Sequence, residues 1–273
     1  MKLDILVYTH SSCTDVFDVF LSTLKLNIRD ISKFRLVVLT NSAEAAEMTL
    51  SSNRVQNFIV IEYDDDAKYY EHFEAVAQII APYFLYLQED FFIVSPFELS
   101  SLERLVEIIR AQAVSFFRLT PSATRRSMAY FQYYKKRSKV LVNEEVFLRV
   151  DYLSSLPACM QPTIWRSRDF FSMHASAMVE NLREEWSPKY QASFQKLNMV
   201  GLASINTSIP YLEVTAVRKG QWNFTDYKWG LVLRDILRSK GINPLDRGIA
   251  FYKHDVTEKK STFLRDIWRR IRY

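Results

Sequence analysis

The sequence predicts an α/β fold: a mostly parallel sheet flanked by helices, in a single domain with a C-terminal amphipathic extension. Three observations point there. Strand-like and helix-like segments alternate through the first 120 residues. The strand-like segments are nearly continuous apolar runs, as in sheets covered on both faces. Polar residues gather where each run ends, and ligands of open α/β sheets sit beyond the carboxyl ends of the strands.

Leu3–Tyr8 is the first run, and Val16, Phe17, Phe20 and Leu24 follow at helical spacing. Arg35–Leu39 is the second strand, ending in Thr40-Asn41-Ser42, and Ala43–Leu50 suits a short helix. Asn57–Tyr63 is the third, ending in Asp64-Asp65-Asp66; Tyr70, Phe73, Ala77 and Ile80, at steps of three and four, mark a helix face. Tyr83–Leu87 is the fourth strand and ends in Gln88-Glu89-Asp90. Leu102, Leu105, Val106 and Ile109 mark a further helix, and Ala113–Leu119 a fifth strand. The second half is less regular. Tyr130–Tyr134 and Glu145–Val150 read as strands around the basic Lys135-Lys136-Arg137. A helical stretch runs from Ser167 to about Glu185 and is broken by Trp186-Ser187-Pro188, and Trp229–Arg238 has helical spacing up to Lys240-Gly241. No linker or repeat divides these segments, so residues 1–255 read as one domain and 256–273 as a tail.

Composition narrows the function. The chain has 273 residues, 48% hydrophobic and 25% charged, enough to bury a core without a disulfide or metal staple. Its five glycines, at 201, 220, 230, 241 and 248, all lie beyond residue 200. A dinucleotide-binding Gly-x-Gly-x-x-Gly turn and a P-loop are therefore excluded from the N-terminal half, because both need glycine for close backbone approach to phosphate. A nucleotide bound there must be held by side chains, by a metal, or by both. Cys13 and Cys159 cannot form a disulfide framework or a zinc site and fit free thiols of a reducing compartment. His72, His174 and His254 lack metal-ligand spacing. The first strand begins at once, and no apolar run approaches the roughly 20 residues of a membrane span. The expected location is cytoplasmic.

The formal charge is +5, and Lys259, Lys260, Arg265, Arg269, Arg270 and Arg272 against Asp266 supply all of it. The rest of the chain is electrically balanced, which argues against a nucleic-acid partner. On a helix the tail places Phe263, Leu264, Ile267, Trp268 and Ile271 on one face and its arginines largely on the other. Two readings stay open: an anchor on the anionic inner face of a membrane through residues 259–273, or a helix docked on the domain with a solvated basic face.

Glu89 and Asp90 stand between two strongly apolar runs, in one strand or in a strand, turn and strand. Adjacent carboxylates facing a ligand crevice can hold a divalent cation, Mn²⁺ or Mg²⁺, that bridges a diphosphate; equally, they can cap a turn or pair with an arginine. Thr9, Asn41 and Asp64 or Asp66 stand at the ends of the other strands, where a base and ribose would lie, and His10 is within reach of the same nucleotide.

The run Leu85-Tyr86-Leu87-Gln88-Glu89-Asp90-Phe91-Phe92, in a chain opening with a Val7-Tyr8-Thr9-His10 strand end, resembles small bacterial-type glycosyltransferases of the GT-A fold. Gln161-Pro162-Thr163-Ile164-Trp165 and Lys219-Gly220-Gln221-Trp222-Asn223 extend the resemblance over roughly residues 3–250. It implies a GT-A-like (Rossmann-like) fold, a nucleotide-sugar donor, and transfer of the sugar to a hydroxyl of a saccharide or lipid-linked saccharide acceptor. Residues 1–120 would be the nucleotide-sugar half and 121–255 the acceptor half. Glu89 and Asp90 stand at the place of the family's Asp-x-Asp metal motif, with Gln88 where a strict motif has Asp. Glu185 is the first choice for the general base and Glu184 the second. Lys219 would pair with phosphate, and Gln161, Trp165 and Trp186 would meet the acceptor. Two other readings are a nucleotidyltransferase, although residues 8–15 lack a glycine-rich loop, and a non-catalytic membrane-associated scaffold that binds sugar nucleotides.

Overall fold

The computed structural model describes residues 3–28, 30–93, 96, 98–119, 139–142, 144–151, 162–180, 188–204, 213–218, 220–224 and 227–250. The chain divides into two compact units, Met1–Val214 and Thr215–Tyr273. The expected strand Tyr130–Tyr134, the tail 256–273 and the membrane reading attached to it lie outside the described residues.

The larger unit is built on a sheet of nine strands: β1 Leu3–Tyr8, β2 Arg35–Thr40, β3 Phe58–Glu62, β4 Tyr83–Gln88, β6 Phe116–Arg118, β7 Lys139–Val142, β8 Glu145–Val150, β9 Thr163–Arg166 and β10 Gly201–Ser204. Its order is β3-β2-β1-β4-β9-β6-β10-β8-β7. β3, β2, β1 and β4 run parallel, and β6 and β10 are parallel to each other. β9 runs antiparallel between β4 and β6, and β8 antiparallel between β10 and β7. β5, Phe91–Ile93, follows β4 after a two-residue turn at Glu89-Asp90, which is the strand, turn and strand arrangement.

The helices are α1 Thr14–Asn27, α2 Ala43–Ser52, α3 Glu74–Ala77, α4 Leu99–Ala111, α5 Ser167–Ala177 and α6 Pro188–Lys196. The sheet is apolar on both faces, as the continuous apolar runs require. Ile5, Val7, Val38, Leu85 and Leu87 are fully buried on one side, where Leu21 and Leu24 of α1 border Ile5 and Leu36. On the other side Leu6, Val37, Phe84, Tyr86, Phe116 and Trp165 form one cluster with Phe73, Val76, Phe170, Met173, Tyr190 and Phe194. α5 and α6 therefore lie on this second face.

Several elements differ from the sequence expectation. The helix face at Tyr70–Ile80 is a 3₁₀ turn, Glu71–Phe73, followed by the short α3. α5 ends at Ala177 rather than near Glu185, because Met178 turns left-handed (φ 47°) and its N–H closes on the His174 carbonyl at 3.0 Å. β10 was not expected at all. It pairs Gly201 with Phe116, and a Cβ at Gly201 would stand 2.2 Å from the Phe116 ring, so only glycine admits this strand beside β6. In the smaller unit Val217–Arg218, Gln221–Asn223 and Ile249–Ala250 form a three-stranded sheet around the fully buried Trp222, with the Arg247 guanidinium 5.8 Å from the indole centroid.

Candidate functional site

The carboxyl ends of β3, β2, β1 and β4 form one stepped row. Tyr8 is the last residue of β1 in register with β4, opposite Gln88, so Thr9 and Glu89 leave neighbouring strands side by side. On the other side the Thr9 N–H donates to the Leu39 carbonyl (2.9 Å) and the Tyr63 N–H to the Thr40 carbonyl (2.8 Å). The four polar segments singled out in the sequence are thereby brought to one edge of the sheet.

Asp65 is the hub of that edge. Its carboxylate accepts from Asn41 Nδ2 at 2.7 Å and lies 3.3 Å from His10 Nε2. Asn41 holds the turn after β1: its Oδ1 accepts from the Ser11 N–H (2.7 Å) and its Nδ2 donates to Ser11 Oγ (3.1 Å). His10 Nδ1 accepts from the Ser12 N–H at 3.0 Å and so caps the 3₁₀ turn Ser11–Cys13. Side chains thus shape the turn after β1, where a glycine-rich loop stands in dinucleotide-binding proteins.

Behind this edge lies an aromatic floor. Tyr63 stacks on Tyr8 (centroids 5.3 Å, 4° between planes), and His72 stacks on Tyr63 at 4.0 Å. His72 Nε2 is 3.2 Å from the Ala67 carbonyl, which can only accept, so Nε2 carries the proton; Nδ1 then accepts from the Tyr8 hydroxyl at 3.1 Å. Burial lowers the His72 pKa and favours this neutral form. Burial also pushes Tyr8 up to about 12, with the negative fields of Glu89 and Asp65 adding to the shift, and it raises Tyr63 with the same two carboxylates contributing. One pair of phenols therefore feels both the β3 loop and the β4 turn. Asp65 and Glu89, 24 residues apart in sequence, thus both stand near the Tyr8–Tyr63 pair.

The other expected residues are distributed unevenly. Thr9 is 3% exposed, and its hydroxyl has no hydrogen-bond partner among the described residues. Asp64 and Asp66 are exposed, and Asp64 Oδ1 accepts from the Asp66 N–H at 3.0 Å in a local turn. Glu89 and Asp90 are half-buried in their turn. Among the described residues no group of three or more His, Cys, Asp or Glu side chains is placed to hold a metal ion by itself. Gln88 donates to the Tyr86 hydroxyl at 3.4 Å, which gives its amide a place in the aromatic floor. Trp165 corrects the acceptor expectation. It is 1% exposed, with its ring 4.6 Å from Phe116 and 5.4 Å from Phe170, so its indole packs the core and offers no face to an acceptor. Glu184, Glu185, Trp186, Gln161 and Lys219 lie outside the described residues.

Sequence reasoning missed three features of this edge. Asp65 was passed over for its neighbours Asp64 and Asp66, though the sequence carries no signal that ranks the three. The Tyr8–Tyr63–His72 stack was legible only as a high aromatic content. Arg118, 1% exposed at the end of β6, stands opposite Thr163 of β9 and Ala203 of β10, next to Ser204. It is a buried cation in an otherwise mostly apolar run.

No family model matches the chain, and no curated protein matches it in sequence. Its structure is similar to that of S. aureus TarS 1–349 in complex with UDP-GlcNAc, with a TM-score of 0.50 and 14% identity over 81% of this chain and 60% of that one. The chain has a GT-A-type fold. It spans about 60% of the length of the TarS structure. Weaker likenesses, which carry no argument, are to the galactosyltransferase LgtC in complex with donor and acceptor sugar analogs (TM-score 0.42, 13% identity, 70% of this chain and 66% of that one) and to CMP:2-keto-3-deoxy-manno-octonic acid synthetase complexed with CTP (0.45, 14%, 89% and 100%). Among the described residues no helix is long and apolar enough to cross a membrane.

Proposed function

We propose that this chain is a glycosyltransferase that moves a sugar from a nucleotide-sugar donor to a hydroxyl of a saccharide or lipid-linked saccharide. The observation that carries the reading is that Asp65, with His10 and Asn41, and the Glu89-Asp90 turn share the carboxyl edge of a GT-A-type sheet. The UDP-GlcNAc in the TarS complex supports the class of donor.

Transfer breaks the bond between the anomeric carbon and a diphosphate oxygen and forms one to the acceptor oxygen. The acceptor proton goes to a base, and the nucleoside diphosphate leaves with its charge. Thr9, His10, Asn41 and Asp65 are the groups for base and ribose, with Asp64 and Asp66 at the margin. Glu89 and Asp90 would hold a divalent cation in this reading, since one or two carboxylates suffice when a ligand supplies the other oxygens. Bound there, the ion supplies Lewis-acid stabilisation of the leaving diphosphate. Glu185, or Glu184, is the base in this reading. Gln161 and Trp186 meet the acceptor, and Lys219 the phosphate.

The test is release of nucleoside diphosphate from a panel of nucleotide sugars with Mn²⁺ or Mg²⁺, beside calorimetry of donor binding. One donor should bind and turn over, and Asp90→Asn should slow turnover by roughly a hundredfold or more, the range for losing a group that stabilises a leaving charge. Failure of every nucleotide sugar to bind, or unchanged turnover in Asp90→Asn, removes the reading.

A further inference from the structure

A polar cavity lies at the opposite end of the same sheet. Ser115 and Val200 directly precede β6 and β10; the Ser115 N–H donates to the Val200 carbonyl (2.7 Å) and the Arg166 N–H to the Ser115 carbonyl (2.9 Å). This is the amino end of both strands, whereas Arg118 and Ser204 stand at the carboxyl end. The cavity holds about 430 Å³, within the range of small-molecule sites. It is lined by Arg149 of β8, Arg166 at the end of β9, and Arg168, Asp169 and Ser172 of α5, together with Ser115.

The charges there do not cancel. Asp169 accepts from Arg166 Nε at 2.5 Å and from Arg168 Nε at 3.3 Å, so the one lining carboxylate orients two guanidinium groups. The Arg149 side chain forms no ion pair or hydrogen bond among the described residues. Three guanidinium groups against one carboxylate leave the cavity with two positive charges.

Ser115 supplies the second observation. It is 5% exposed, it lines the cavity, and its hydroxyl has no hydrogen-bond partner among the described residues. The hydroxyl is open to the cavity and can donate to an acceptor atom held there. Two helix C-termini, whose dipoles favour cations, border the cavity, and the arginines outweigh them. α4 closes through Ala113 (φ 51°), with Ala113 N–H on Arg110 O and Val114 N–H on Ile109 O, both at 3.1 Å. α6 closes through Asn198 (φ 49°), with Asn198 N–H on Gln195 O (3.1 Å) and Met199 N–H on Phe194 O (2.9 Å). These turns take up the carbonyls of Arg110, Ile109, Gln195 and Phe194.

We infer that this arginine-lined cavity binds the phosphate group of a small soluble phosphorylated ligand, at a site separate from the strand-end crevice. A phosphate dianion matches the two uncompensated charges, the guanidinium forks suit its oxygens, and the Ser115 hydroxyl donates to one of them. The inference does not rest on the glycosyltransferase reading.

The experiment is calorimetry on the full chain with inorganic phosphate and with glycerol 3-phosphate, at constant ionic strength, with acetate as the control anion. Both phosphates should bind saturably and acetate should not. The double variant Arg149→Gln/Arg168→Gln should weaken binding by roughly tenfold or more, the loss expected for charged hydrogen bonds. Ser115→Ala, which removes only a hydroxyl, should weaken it several-fold while the thermal midpoint without ligand holds. Arg110→Gln, an exposed arginine paired with Glu107, should leave phosphate binding unchanged. The inference is overturned by absence of saturable binding, by acetate binding as well as phosphate, or by survival of binding in the double variant. Binding to phosphatidic-acid vesicles without binding of glycerol 3-phosphate would point to a lipid headgroup and equally overturn it.

Discussion

Asp65 joins three strand ends through two side-chain contacts, to Asn41 and to His10. The carboxylate is more than half exposed, so its ion pair adds little to stability: exposed pairs contribute about 0–1 kcal/mol. Its consequence is geometric, since Asn41 in turn fixes the backbone at Ser11. Asp65→Asn should therefore leave the unfolding midpoint nearly unchanged while weakening nucleotide-sugar binding about tenfold. Chemical denaturation and calorimetry on the same preparation check both halves; a large loss of stability with donor affinity intact would make the residue structural. Sequence reading reached this run of aspartates but not the member that contacts Asn41 and His10. Alternation in an exposed loop carries no burial signal, and only the β2–β3 register puts the loop beside Asn41.

The strands of the first half were legible because apolar runs between polar strand ends have one good solution, a sheet covered on both faces. β9 and β10 were not. Each has four residues, and Gly201 would ordinarily count against a strand. β10 exists because its backbone passes where the Phe116 ring leaves no room for a methyl group. Gly201→Ala should cost roughly 1–3 kcal/mol, the usual penalty for overpacking a core, and thermal unfolding measures it. An unchanged midpoint would show that Phe116 can move aside. β1 carries a comparable hidden detail. Asp4, fully buried in a run that reads as apolar, takes Arg35 of β2 at 3.2 Å through Nε and the Ala81 N–H at 2.7 Å. It ties the amino ends of β1 and β2 to the segment entering β4, a role visible only once Asp4 and Arg35 are in register.

For the molecule as a whole, two buried histidines set a pH dependence. His174 lies among Phe73, Phe170 and Tyr190, and burial lowers its pKa to about 3; burial lowers His72 as well. The unfolded chain takes up these protons near pH 6.5 while the folded chain does not. Stability is therefore flat above about pH 6.5 and falls as the pH drops towards the folded values, by up to about 1.4 kcal/mol per pH unit for each histidine. Urea unfolding at pH 7.5 and 5.0 should show a loss that shrinks by about 2 kcal/mol in His174→Gln relative to the parent chain. Equal losses in the two proteins would mean that His174 is protonated in the fold. By itself the sequence determined the α/β class, the polar ends of the strands and the absence of a glycine cradle in the N-terminal half, because these follow from local periodicity and residue type; whether Glu89-Asp90 lies within a strand or in a turn it left open. Only the tertiary structure decided that Asp65 rather than its neighbours is the hub, that Trp165 is core, that an antiparallel strand splits the sheet, and that arginines gather at its far end. Those are contacts between segments distant in the chain, and no local pattern encodes which of them meet.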